Sequence, residues 1–305
     1  MPVESEAPDK RRGDPSPHRG EVGWEAEMPD LKKFLQGNPG VICAELASVR
    51  GSSPREAGTA MLIGRHGVFG TIGGGALEYM VIERARKMIG RGEAQAVDMD
   101  VPLGPEIGQC CGGRVAVRLR AFGEAEAERF AASLADEAAQ RPVVMVYGAG
   151  HVGRALARCL ALLPVRVTVI DTRPDEIAEL EGLCKTIVSP MPEAEARDAP
   201  EGASHVIVTH DHALDFLIAA EALARMDAPY VGMVGSATKR GRFSSWFRET
   251  GGTAAALDRL VLPIGAMGVG DKRPEVIAAF TAAEVMRAIG TRKQQWAERG
   301  AMSHG

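Results

Sequence analysis

Apolar and polar positions along the chain fall into two regimes. In the first, Val41-Ile42-Cys43-Ala44-Glu45-Leu46 reads as a strand. Ala60-Met61-Leu62-Ile63 and Val68-Phe69-Gly70-Thr71 read as two more, joined by a turn at Arg65-His66-Gly67. Glycines 73, 74 and 75 open a helix that reaches about Ile89. Val115, Val117 and Leu119 alternate with Arg118 and Arg120, the period-two mark of a half-buried strand. Residues 124–140, rich in Ala and Glu, predict a helix. Strands mixed with a helix in this way predict an α+β domain.

From Pro142 the pattern changes. Apolar runs at Val143–Tyr147, Val165–Ile170, Thr186–Val188, His205–Thr209, Tyr230–Val234 and Leu260–Pro263 predict strands. Helical segments at 151–163, 174–182, 212–226, 237–249 and 274–289 lie between or after them. Apolar strands alternating with helices predict parallel pairing and a Rossmann-like doubly wound sheet. The fold class is therefore α/β: an α+β N-terminal domain over 27–122, a connecting helix over 123–141, and a Rossmann-like domain over 142–290. Residues 1–26 are expected to be a disordered tail, because Pro2, Pro8, Pro15 and Pro17 accompany few apolar residues there. Residues 291–305 are polar and expected to fray.

Charge narrows the partners. The 305 residues carry a net charge of −4. The first thirty, with eight acids and four bases, account for all of it. The neutral remainder has no basic stripe, which argues against nucleic acid. No apolar run approaches a membrane span, and the N-terminal residues lack the apolar core of a signal peptide. A cytoplasmic protein is expected, with its five cysteines reduced.

Several segments carry candidate chemistry. Gly148-Ala149-Gly150-His151-Val152-Gly153 fits G-x-G-x-x-G between a strand and a helix, and Asp171 ends the next strand. Gly148 permits the tight turn, Gly150 lets a pyrophosphate approach, and Gly153 lets the helix pack. Asp171 is the candidate acceptor for a ribose hydroxyl. The same turn also suits a Rossmann-type domain that binds no nucleotide. Thr209-His210-Asp211-His212 follows the fourth parallel strand: Asp211 reads as a helix cap, with His210 and Asp211 facing the crevice as alternative metal or proton-carrying groups. In the first domain, Ser53 and Arg55 lie in Gly51-Ser52-Ser53-Pro54-Arg55, and Gly73, Gly74 and Gly75 offer backbone N–H groups as an anion nest.

Cys43, Cys159 and Cys184 sit in apolar runs and read as core fillers. Cys110 and Cys111 do not. They stand in Gly108-Gln109-Cys110-Cys111-Gly112-Gly113, where thiols can be approached closely and nearby N–H groups favour thiolate. Soft thiolates suit soft or sulfur-bearing metal centres.

Taken together, Gly51–Arg55, Gly70–Glu78, Gly108–Gly113, Gly148–Leu156, Thr209–Asp215, Gly232–Phe243, Pro263–Gly265 and Lys272–Pro274 make the chain resemble the XdhC/CoxI family over about residues 39–290. The resemblance implies a chaperone, not itself an enzyme. It would bind the molybdenum cofactor, Mo-molybdopterin, and hold it while a cysteine desulfurase supplies the terminal sulfur. It would then deliver the cofactor to the cofactor-binding subunit of xanthine dehydrogenase. A homodimer is expected. Some relatives carry Cys where this chain has Ala76, which leaves Cys110 and Cys111 as the implied cofactor or molybdenum contacts. The competing reading is an NAD(P)-dependent oxidoreductase resting on Gly148–Gly153 and Asp171, although no Tyr-x-x-x-Lys pair accompanies them.

Overall fold

The computed structural model describes residues 27–53, 55–104, 113–266 and 270–302. The expected tail over 1–26 and the Cys110–Cys111 pair lie outside them.

The N-terminal sheet contains β1 (Val41–Arg50), β2 (Ala60–Ile63), β3 (Val68–Gly70), β4 (Val97–Leu103) and β5 (Gly113–Phe122). Its order is β3-β2-β1-β5-β4, and every pair is antiparallel. Successive residues of β1 point to opposite faces, and both faces are covered. On one, α2 (Gly75–Arg91) lays Leu77, Val81, Ala85 and Met88 against Ile42, Ala44, Leu46 and the inward residues of β5. On the other, Val41, Cys43 and Leu62 meet Leu31 of α1 (Glu27–Gly37) and Phe130 and Leu134 of α3 (Glu124–Gln140).

The patterning read above did not identify β4, although Val97, Met99, Val101 and Leu103 alternate with two acids. In the sheet, Asp98 and Asp100 each accept a 2.8 Å hydrogen bond from β5, from Arg118 and Arg114.

The second sheet is wholly parallel. Its strands are β6 (Val143–Tyr147), β7 (Arg166–Asp171), β8 (Lys185–Val188), β9 (Ser204–Ile207), β10 (Val231–Met233) and β11 (Leu260–Val261), in the order β11-β10-β9-β6-β7-β8. The direction of winding reverses between β6 and β9, so the crevice outside their carboxyl ends is the topological switch point of a Rossmann fold. One face is covered by α4 (His151–Ala161) and by Ala278, Ala282, Val285 and Ile289 of α10 (Pro274–Met302). Ile177 of α5 (Pro174–Ala178) joins that face, and the other is covered by α6 (Pro192–Arg197), α7 (His212–Ala224), α8 (Ala237–Glu249) and α9 (Ala254–Asp258). Where fraying was expected from residue 291, α10 continues to Met302, and the two glycines after Ile289, Gly290 and Gly300, are tolerated within it. No helix among the described residues is long and apolar enough to cross a membrane.

Candidate functional site

The chain folds into two loop-lined edges. At the first, antiparallel pairing brings three segments to one end of the N-terminal sheet. Arg50 pairs with Arg114, Leu103 with Gly113, and Gly70 with Met61. The loop that follows Arg50 and the residues Leu103 and Gly113, which flank the Cys110–Cys111 segment in sequence, therefore share that end, and the chain leaves Gly70 of β3 in the same direction. Approach is close: a Cβ on Gly113 would stand 2.1 Å from the Ser52 carbonyl oxygen. Ser53 accepts from the Arg55 amide at 3.4 Å, and Arg55 itself is exposed.

The glycine turn of this edge does form an anion nest. Gly73, Gly74 and Gly75 adopt φ of 127°, 78° and 68°, values that disfavour any side chain. The anion in the nest is the chain's own. Glu78 Oε1 accepts from the amides of Ile72 at 3.0 Å and Gly74 at 2.9 Å, and from the Thr71 hydroxyl. Partial burial raises the Glu78 carboxyl, but these donors outweigh it and hold the group below the usual range. The expected open nest at Gly73–Gly75 is thus corrected at Gly74, whose N–H is already engaged.

At the second edge, the loops after β6, β9 and β10 meet. Gly148 donates to Ile170 at 2.7 Å and turns with φ 114° against the backbone of Val208 and Thr209. A Cβ on Gly153 would stand 1.9 Å from the Gly148 carbonyl oxygen. These two glycines are explained by packing alone. Gly150 is not: a Cβ there meets nothing within 4 Å, so its surface faces open space at the start of α4.

Asp171 is 4% exposed and does not wait for a ribose. Oδ2 accepts from the Ala149 amide at 2.7 Å and Arg173 Nη2 at 2.9 Å. Oδ1 accepts from the Arg173 amide and Nε, each at 3.0 Å. A carboxylate has about four lone-pair positions, and all are engaged within the chain. Burial pushes the carboxyl up, but the Arg173 guanidinium and the two amides hold it below the usual range. A ribose at this strand end would have to displace Arg173 from Asp171.

Asp211 caps α7, accepting from Ala213 at 2.7 Å and Leu214 at 3.4 Å. His210 is exposed beside it. No group of three metal-ligating side chains occurs among the described residues.

The sequence reading missed the pair that organises this edge. Asp215 of α7 is fully buried and ion-paired with Lys239 of α8. Asp215 Oδ1 also accepts from the Thr209 hydroxyl at 2.7 Å and the Thr209 amide at 3.2 Å, while Lys239 donates to the Val234 carbonyl at 2.9 Å. The pair ties the loop after β9 to the loop after β10, and Thr209 in turn abuts Gly148. Both residues lie in segments quoted for the family resemblance, but one helical turn past the loops where chemistry was sought.

Beside the pair, a cavity of about 700 Å³ opens between α7 and α8, lined by His212, Phe216, Ser236, Thr238, Arg242 and Trp246 among others.

With both edges described, the comparisons decide the lineage. Residues 144–285 match the model of the XdhC Rossmann domain, and residues 35–100 match that of the XdhC and CoxI family. The chain belongs to the XdhC family. It is 26% identical over 271 residues to the uncharacterised protein YqeB of Escherichia coli strain K12. That match covers 85% of this chain but 45% of YqeB, so the chain spans less than half of that relative. A crystal structure described as a xanthine dehydrogenase from Bacillus halodurans superposes with a TM-score of 0.71 at 18% identity, covering 88% of this chain and 97% of that one. At that identity it shows a shared fold.

Proposed function

We propose that this XdhC-family chain serves xanthine dehydrogenase maturation as a cofactor chaperone rather than an enzyme. Its cargo is molybdopterin carrying molybdenum. The chain holds this cargo while a cysteine desulfurase supplies the terminal sulfur and passes it to the cofactor-binding subunit of xanthine dehydrogenase. It works in the cytoplasm as a homodimer.

The observation that carries this reading is the convergence at the first edge. Leu103 and Gly113, which flank the segment carrying Cys110 and Cys111 in sequence, stand at the same sheet end as the loop that holds Ser53 and Arg55. Elsewhere the chain offers weaker soft ligands. Burial pushes the Cys43 and Cys184 thiols up to about 11, which keeps them protonated and inert at neutral pH. Against the oxidoreductase alternative stands Asp171, whose acceptor positions are filled by Arg173 and Ala149.

The test is cofactor retention. Protein isolated from molybdate-fed cells is oxidised with acid iodine, and pterin fluorescence and molybdenum per chain are measured. Wild type should carry both, and Cys110→Ala/Cys111→Ala should carry little while remaining folded. Wild-type loading of the double variant, with the target still activated, overturns the thiol assignment.

A further inference from the structure

We infer that the cavity between α7 and α8 binds a phosphate-bearing planar heterocycle. Its phosphate sits at Arg242, Lys239 and the first turn of α8, and its ring lies against Phe216 and Trp246. The inference goes beyond the chaperone reading and does not rest on it, since none of these residues belongs to the thiol edge.

The cavity has the size of a small-molecule site, which typically spans about 300–1,000 Å³. It lies outside the carboxyl ends of β9 and β10, next to the switch point, where open α/β sheets place their ligands. Its titratable lining is entirely basic: His212, Lys239 and Arg242.

Two of these groups have unused donors. Arg242 makes no hydrogen bond or ion pair among the described residues. Lys239 is more telling, because its side chain is 9% exposed and an ammonium carries three N–H donors. One goes to Asp215 and one to the Val234 carbonyl. The third has no acceptor among the described residues, and Lys239 forms part of the cavity wall. A buried donor without a partner is costly, and a ligand oxygen would satisfy it. The Lys239 amide is already capped by Ser236, whereas the amides of Ala237 and Thr238 precede any intrahelical acceptor.

The rest of the lining is largely aromatic. Phe216 and Trp246 are half-buried, with ring centroids 5.6 Å apart, and Leu217 beside them is 44% exposed. A guanidinium and an ammonium near the start of α8, with an indole further along the same helix face, match a ligand that joins an anion to a flat ring. A free sugar phosphate would leave the aromatic lining unused, and an apolar ligand would leave Arg242 and the third Lys239 donor unmatched.

The chemistry can come from a nucleotide or from a phosphorylated pterin. The full chain is titrated with AMP, CMP, GMP and neopterin monophosphate, following heat and tryptophan emission. Binding of at least one, with quenched emission, is expected, and the matching unphosphorylated compound should bind at least about tenfold more weakly. Which ligand binds identifies the source, and either supports the site. Arg242→Ala should lower affinity by about tenfold or more with unchanged circular dichroism, because Arg242 contacts no other described side chain through hydrogen bonds. Trp246→Phe should keep the heat and lose the quench. Absence of binding by all four, or equal affinity of Arg242→Ala and wild type, overturns the inference. Quenching that survives in Trp246→Phe overturns the ring placement. Cofactor loading through Cys110 and Cys111 is read separately, so either idea can fail alone.

Discussion

Two glycine-rich strand-to-helix turns occur in this chain, and they end differently. The turn before α2 curls its amides around Glu78, four residues further along the same helix start. The turn before α4 gives one amide, that of Ala149, to Asp171 and leaves Gly150 facing open space. Glycine content is alike in both. What differs is whether the chain supplies an anion for the amides it exposes. A glycine-rich turn therefore reports a backbone requirement first, and a ligand only where no internal carboxylate reaches it.

The sharpest way to break this comparison is at Gly153. Gly153→Val puts a side chain where the Gly148 carbonyl already stands, and should cost about 4 kcal/mol or prevent folding, as read by urea unfolding. Next comes the tie between the crevice loops. Lys239→Met leaves Asp215 buried without its counter-charge and should cost about 3–5 kcal/mol, whereas the double variant with Asp215→Leu should recover part of that loss. A double variant no better than Lys239→Met would show that the pair is not coupled.

Acid should separate the two halves. His205 is fully buried in β9 beside the Tyr147 hydroxyl, 3.0 Å away, and burial lowers its pKa to about 4. The unfolded chain, with an ordinary histidine pKa of about 6.5, takes up the proton first. Stability from His205 is therefore present above pH 6.5 and lost as pH falls towards 4, by about 3 kcal/mol in all. Glu78 acts lower: its carboxyl is depressed, so its contribution persists until pH drops below the ordinary glutamate range. Hydrogen exchange at pH 5 should show the strands of the parallel sheet losing protection before those of the antiparallel sheet. Equal loss in both, or loss unchanged by His205→Gln, would sink this assignment.

Smaller effects follow at the turns themselves. Glu78→Ala empties the nest and should cost about 1–3 kcal/mol, since three donors lose a charged acceptor. Gly150→Ala should change stability by less than about 0.5 kcal/mol, because φ there is −68° and nothing lies within 4 Å. A large loss from Gly150→Ala would erase the distinction between the two turns.

The sequence shows these features unevenly. The parallel sheet is legible because its strands are buried on both faces and read as apolar runs set between helices. β4 is not, because its outward acids are matched by arginines fourteen and twenty residues away, and single-segment patterning cannot see a partner strand. The Asp211 cap is visible from its position before α7. The roles of Glu78, Asp171 and Asp215 are not, since each depends on which donors the fold brings within reach. Lys239 reads as a surface lysine of a polar helix until α7 is packed beside it.

Arg173 has one more consequence. It is only two residues from Asp171, so its guanidinium behaves as a tethered competitor at very high local concentration. Any diol approaching the end of β7 must evict a charged fork from an anion and offers only neutral hydroxyls in return. The exchange is unfavourable, so a ribose anchored at Asp171 is disfavoured for as long as Arg173 holds its place.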